Sequence, residues 1–279
     1  MLFRSLGEKA LCKIGFSPEE STIVAAHLVD ASMWGYEFAG LPRILVMAER
    51  PEMKVPRKPV SIVRETPVSA LLDGGNHVGY VSMLRAVEIA NEKVSKSGVA
   101  IIGMRNSWFT GRNAYYLEKI ARAGYAALYV SSSTPTVVPP GAMRKTLGTN
   151  PLTIALPGKG NPYIFDMGTA AVMSGEILMK AMLGESFPEI CGIDKEGKPT
   201  RAARDLLEGG AHAFGGHKGY GLSVAIQALG LMVGSRMRNG DVCDFGYLLF
   251  AFDPELFMPR EQLDRKSTRL NSSHGYISY

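Results

Sequence analysis

Apolar and polar positions follow two different periods along this chain, and the switches between them mark its elements. The first fifty residues carry helical spacing. Within them, "SPEESTIVAAHLVDASMWG" (17–35) opens on Ser17, with Pro18 at the first helical position and Glu19 and Glu20 in the first turn. That combination marks a helix start. His27 lies on the apolar face of this helix beside Ile23 and Val24, which predicts a satisfied structural histidine over a ligand. Residues 51–69 are rich in Pro, Lys and Arg and read as a connector into the strand "VSALLD". "YVSMLRAVEIANEKVSKSG" (80–98) then places Met83, Val87, Ala90 and Val94 at helical spacing and closes on Gly98.

The period then shortens. "VAIIGM" (99–104) is a continuous apolar run, the pattern of a fully buried strand. "NAYYLEKIARAG" is a second amphipathic helix ending on Gly124, and "YAALYVSSS" a second buried strand. Further strands are predicted at "LTIALP" (152–157), "YIFDM" (163–167) and "YLLFAFD" (247–253). Helices alternating with buried strands predict an α/β layered sheet. "LSVAIQALGLMVG" (222–234) is apolar on nearly every face, too short to span a bilayer, and predicts a helix buried on all sides. There is no internal repeat.

Charge changes little in this picture. The formal net charge is +5, but the terminal stretches "LFRS" (2–5) and "KSTRLNSSHGYISY" (266–279) contribute Arg4, Lys266 and Arg269 with no acid. Without these three residues about +2 remains, which supports neither a nucleic-acid nor a membrane-surface partner. Both stretches resemble translated adapter sequence, and 266–279 reads as a non-native tail, with a native disordered tail as the alternative. Cys12, Cys191 and Cys243 are far apart, without a C-x-x-C pair, which favours a reducing, cytoplasmic setting.

The chemistry concentrates in glycine-rich loops. "AFGGHKGYGLS" (213–223) opens a helix with flexible backbone amides and one cation, Lys218, the outline of an anion site. Glycines that merely allow close helix packing explain the loop about equally well. The glycines of "LDGGNHVGY" miss the G-x-G-x-x-G spacing, and Gly219 after Lys218 breaks the P-loop pattern. No H-E-x-x-H or carboxylate cluster marks a metal site.

In order, "MRKTLGTNPL" (143–152), "YIFDMGTAA" (163–171), "GIDKEGKPT" (192–200) and "GGHKGYGLS" resemble the type II malate/L-lactate dehydrogenase family. The likeness also covers "DGGNHVGY", "SGVAIIGMRNS" and "FGYLLFAFDPELF" and runs from about residue 6 to residue 263. It implies a non-Rossmann α/β sandwich around a mixed sheet. An N-terminal helical, substrate-side region would occupy 6–75 and a nucleotide-binding region 76–263, with the sheet core shared between them. It further implies a homodimer, NAD or NADP as cofactor, and a small 2-oxo acid, 2-hydroxy acid or imine substrate. Residue by residue, Tyr163, Ile164, Phe165, Asp166, Met167 and Gly168 match the stretch lining the dinucleotide. His217 and Lys218 match the pair at its phosphates or ribose, and Gly148, Thr149 and Asn150 match a turn beside the nicotinamide. A purely structural turn is the alternative for Thr149 and Asn150.

Arg43 matches the family's carboxylate-gripping arginine, a task that suits a planar bidentate donor; a surface arginine on a helix is the alternative. The proton-donating half departs from the pattern. "GYEFAGLPR" puts Phe38 and Ala39 where the family carries Ser-His, and "NSWFTG" puts Trp108 and Phe109 where it carries Asn-His. Neither Ala nor Phe transfers a proton, so retained chemistry needs another acid: Tyr36, Glu37, Tyr115, Tyr116 or a water, with a structural role as the alternative for all four side chains. The resemblance also implies further helices and a C-terminal segment beyond "FDPELFMPREQLD". The expectation is an NAD(P)H-dependent oxidoreductase, with a dinucleotide-binding pseudoenzyme or regulatory protein as the alternative.

Overall fold

The computed structural model describes residues 2–238, 241–242 and 244–263. Cys243 and the stretch 266–279 lie outside the described residues. Helix α1 (Leu2–Lys13) begins within "LFRS" and packs on α2 (Pro18–Met33), followed by a 3-10 turn (Glu37–Ala39), α3 (Arg43–Glu49) and a second 3-10 turn (Pro51–Lys54). The start of α2 is a full capping box: Glu20 N–H donates to the Ser17 hydroxyl while the Glu20 carboxylate accepts from Ser17 N–H.

Strand β1 (Ser61–Thr66) pairs antiparallel with β2 (Ser69–Val78). This corrects the connector expected over 51–69. All six β1 positions are exposed, so the strand has no apolar face to produce an alternating pattern. Then come α4 (Gly79–Ser97), β3 (Val99–Trp108), α5 (Ala114–Arg122), β4 (Ala126–Ser131), β5 (Leu152–Leu156) and β6 (Tyr163–Met167). A small lobe follows: α6 (Ser174–Leu183), β7 (Gly192–Ile193), β8 (Pro199–Thr200), α7 (Ala203–Glu208) and β9 (Gly210–Ala211). Its core is Ile177, Phe187, Cys191 and Leu206. The described residues then continue with α8 (His217–Met232), β10 (Met237–Arg238), β11 (Asp241–Val242), β12 (Phe245–Phe252) and a 3-10 turn (Pro254–Leu256).

The main sheet runs β1-β2-β3-β12-β4-β5-β6. Only β2 and β3 pair in parallel; every other neighbouring pair is antiparallel. Strands β2, β3, β4 and β6 therefore point the same way, and their carboxyl ends meet at one edge. Residue 75 lies within β2, so the N-terminal region and the remainder share this sheet.

One face of the sheet carries α4 and α5 over the largest core, with Leu72, Met83, Ile102, Leu117, Tyr129 and Leu249. The other carries α8 over Val130, Ile226, Val233 and Leu248. Here the expectation of a helix buried on all sides is corrected. Val224 is 41% and Met232 79% exposed, because α8 lies on the sheet by one side only. Among the described residues no helix is long and apolar enough to cross a membrane.

Candidate active site

A cleft of about 240 Å³ opens at the carboxyl edge of the sheet. Tyr80 follows β2, Phe109–Asn113 follow β3, Ser131–Thr134 follow β4, and Asp166–Gly168 close β6. The antiparallel strands deliver their amino ends to the same place, with Thr149 and Pro151 before β5 and Phe245 opening β12. From outside the sheet, Tyr36, Phe38, Ala39 and Arg43 form the opposite wall, and Met173–Gly175 at the start of α6 complete it. Crevices at the carboxyl ends of parallel strands are the usual ligand sites of α/β sheets.

Arg43 lies in the first turn of α3 with its guanidinium 4.5 Å from the centre of the Phe109 ring. Burial pulls its pKa below the ordinary value; the Tyr80 phenol opposes this and Arg50 adds to it. Tyr80 is fully buried, and its hydroxyl lies beside Arg43 without a well-formed hydrogen bond. Burial raises the Tyr80 pKa, against the pull of the Arg43 charge. Phe109 has φ 31°, a conformation a bulky side chain rarely adopts. Gly175 is required for fit: a Cβ there would stand 2.9 Å from the Phe38 ring and 3.4 Å from Arg43 Nη1.

The Asp166 carboxylate turns away from the cleft mouth toward α5. It accepts from Ala114 N–H and from Thr153 Oγ1, each at 2.8 Å, and so caps α5 from a neighbouring strand. Burial raises its pKa; these hydrogen bonds and Arg112 pull it back. The Arg112 guanidinium is held by Asp30, Nη2 to Oδ2 2.6 Å, and its backbone N–H donates to His27 Nε2 at 3.0 Å. His27 is fully buried and structural but only half satisfied, Nε2 by Arg112 N–H while Nδ1 has no partner, and its pKa is lowered to about 3 chiefly by burial.

Of the residues that the resemblance assigns to substrate or dinucleotide, Arg43, Thr149, Asp166, Met167 and Gly168 reach the cleft, where Tyr36, Phe38, Ala39 and Phe109 join them. Gly148 and Asn150 sit behind it. Asn150 Nδ2 donates to Ser223 O, Ser223 Oγ and Gln227 Oε1, which ties this turn to α8. Tyr163, Ile164 and Phe165 lie along β6 and do not line the cleft. His217 and Lys218 are exposed in the first turn of α8. Tyr220, one turn further on, packs with Met173 on the Val137–Leu147 cluster, and Met173 is itself a cleft residue. Of the other arginines, tyrosines and polar groups at the cleft, Tyr80, Arg112, Asn113 and Thr134 were not singled out from sequence as site residues. Their one sequence signal is position, directly after strands β2, β3 and β4.

A profile of the malate/L-lactate dehydrogenase family matches residues 3–274. This chain belongs to that family. L-sulfolactate dehydrogenase of Methanocaldococcus jannaschii is 34% identical, the match covering 97% of this chain and 83% of that one. Ureidoglycolate dehydrogenase (NAD(+)) of Escherichia coli K12 is also 34% identical, over 81% of this chain and 66% of its own. The solved Δ1-piperideine-2-carboxylate reductase of Pseudomonas syringae superposes with a TM-score of 0.86 at 25% identity, covering 99% of this chain and 88% of that one. The protein is thus a malate/lactate-dehydrogenase-like oxidoreductase with the mixed-sheet sandwich of its relatives.

Proposed function

We propose that the protein is a cytoplasmic NAD(P)H-dependent oxidoreductase that interconverts a 2-oxo acid or cyclic imine with its 2-hydroxy or amino acid. The observation that carries this reading is the placement of Arg43. It stands in one cleft with Thr149, Met167 and Gly168, at the edge where the parallel strands end. A guanidinium stacked on an aromatic ring keeps its donor fork free for a substrate carboxylate. The mostly apolar walls, Phe38, Ala39, Phe109, Met173 and Phe245, limit water and strengthen that contact.

The residues present fit a nicotinamide dinucleotide. Gly215 and Gly216 have φ of 56° and 62°, and no atom lies within 4 Å of where a Cβ would stand on either. They lead into α8, whose first turn has no side-chain cap, so its amides and Lys218 can take phosphate oxygens. Asn113 Oδ1 is a buried acceptor without a partner in the cleft, suited to a carboxamide. When bound, the reduced cofactor supplies two electrons and a hydrogen to the carbonyl carbon; Arg43 holds the carboxylate and Phe109 holds Arg43. Residues 6–75 supply the substrate side and 76–263 the nucleotide side, in a homodimer.

Oxidation of NADH and NADPH across a panel of 2-oxo acids and cyclic imines tests the reading, with light scattering for the mass. Turnover of at least one substrate by a dimer is expected. The apolar pair Ala39 and Phe109 favours one second reading, a dinucleotide-binding protein without dehydrogenase activity. Tight NADH binding with no turnover would move the assignment there. Absence of both binding and turnover would sink the two together.

A further inference from the structure

Reduction of a carbonyl needs a proton for its oxygen as well as a hydride for its carbon. Ala39 and Phe109 line the cleft and have no proton to give. The other acids around these positions sort by geometry. Glu37 is exposed and does not line the cleft. The Tyr116 hydroxyl, fully buried, donates to Thr110 O at 2.7 Å. Tyr115 packs against His27, ring centres 4.5 Å apart, with Lys119 Nζ 4.4 Å from its ring centre. Tyr80 is sealed from solvent beside Arg43. Both Asp166 oxygens already accept hydrogen bonds.

Tyr36 differs from all of these. It lines the cleft, remains partly exposed, and its hydroxyl has no hydrogen bond among the described residues. The 3-10 turn fixes it there, because Ala39 N–H donates to Tyr36 O at 3.0 Å. Its ring meets Phe38 edge-on at 6.2 Å. The one cleft phenol free to reach a ligand is thus one short turn before Ala39. Resting on the reading above, we propose that Tyr36 is the proton donor of this cleft.

The step balances. With the reduced nicotinamide bound, a hydride would leave one of its C–H bonds, oxidising it, and form the new C–H bond as the carbonyl π bond gives its electron pair to oxygen. The Tyr36 O–H bond breaks and its proton forms the O–H bond on the carbonyl oxygen. The 2-hydroxy acid leaves, and the phenolate regains a proton from water at the cleft mouth. Asp166 on β6, Arg112 (held by Asp30 of α2) and Arg43 on α3 are the charged groups of the surrounding elements. Burial raises the Tyr36 pKa and the Asp166 carboxylate raises it further, against Arg112. The donor therefore stays protonated at neutral pH and through the ordinary tyrosine range near 10.

The test compares the parent with Tyr36→Phe, Tyr115→Phe and Tyr36→His. Tyr36→Phe keeps the ring contact with Phe38 and should lower kcat for reduction by roughly 10²-fold or more, with KM within about threefold. Tyr115→Phe removes a hydroxyl that lies outside the cleft and should stay within about threefold of the parent. Tyr36→His should recover part of the rate, and that rate should fall above a pH of about 6.5, as the imidazolium donor loses its proton. Alkaline phenol absorbance, read without cofactor, should count one fewer late-ionising tyrosine in Tyr36→Phe than in the parent, the buried Tyr80, Tyr116, Tyr129 and Tyr247 remaining in both. A turning-over parent matched by Tyr36→Phe would overturn Tyr36 and leave the oxidoreductase reading standing. A parent that reduces none of the panel would defeat that reading, and the proton donor falls with it.

Discussion

Arg43 and Arg50 both reach the Phe109 ring, at 4.5 and 5.4 Å from its centre, and the ring itself sits on strained backbone at φ 31°. Backbone of that kind costs on the order of 1–3 kcal/mol and persists only where the surroundings enforce it. Here the enforcement comes from packing: Phe245 meets Phe109 edge-on at 5.9 Å, and the guanidinium covers the face. The ring is thus a shelf that orients Arg43. A lysine at 43 would keep the charge but lose both the planar fork and the stack. Arg43→Lys should therefore cost roughly 10- to 100-fold in kcat/KM, from about 1.5–3 kcal/mol of charge-assisted contact, with most of the loss in KM. Steady-state kinetics on any reducible 2-oxo acid reads this, and an unchanged KM would take Arg43 off the carboxylate.

At the scale of elements, α2 and the loop before α5 are clasped through His27. Its Nε2 accepts Arg112 N–H, which puts the imidazole proton on Nδ1, a buried atom with no partner. A neutral ring is required. The pKa of His27 drops from 6.5 to about 3 in the fold, so its contribution to stability is complete above pH 6.5 and is lost as pH falls toward 3. Between pH 6.5 and 5 this amounts to about 2 kcal/mol. His27→Gln, which can still accept from Arg112, should flatten the fall of the urea midpoint over that window even if its midpoint at pH 7 is lower. Parallel acid limbs in the two proteins would clear His27. The capping box of α2 and the Gly98 end of α4 (φ 76°) are local chemistry and could be read from the sequence. Strand β1, exposed at every position, has no local signature and is defined only by its ladder to β2. The side of α8 that meets the sheet was equally hidden, because an all-apolar helix does not say which of its faces finds a partner.

For the whole molecule the decisive fact is strand order. Strand β12, the last among the described residues, inserts between β3 and β4, so the cleft gathers segments from Tyr36 to Phe245. Arg43, Thr149 and Asp166–Gly168 belong to motifs with recognisable neighbours and were legible as candidates. Tyr80, Arg112 and Asn113 are single residues after strand ends, and only the topology brings them together. Because the N-terminal helices and the sheet face each other across this cleft, ligands bridging it should stabilise the fold as one unit. Saturating NADH at about 100 times its Kd adds roughly 2.7 kcal/mol, which in a chain this size moves Tm by about 5–10 °C. A non-reducible oxo-acid analogue such as oxamate should add to that shift only when NADH is present, if the carboxylate site at Arg43 and the dinucleotide share one cleft. Lys218→Ala should weaken NADH by about tenfold, the lower end for a charge-assisted contact, since Lys218 is exposed and partly screened. At the same NADH concentration its Tm shift should shrink by about half, with the melting of the ligand-free proteins unchanged. Equal shifts in Lys218→Ala and parent would remove α8 from the dinucleotide site and leave its glycines a packing role.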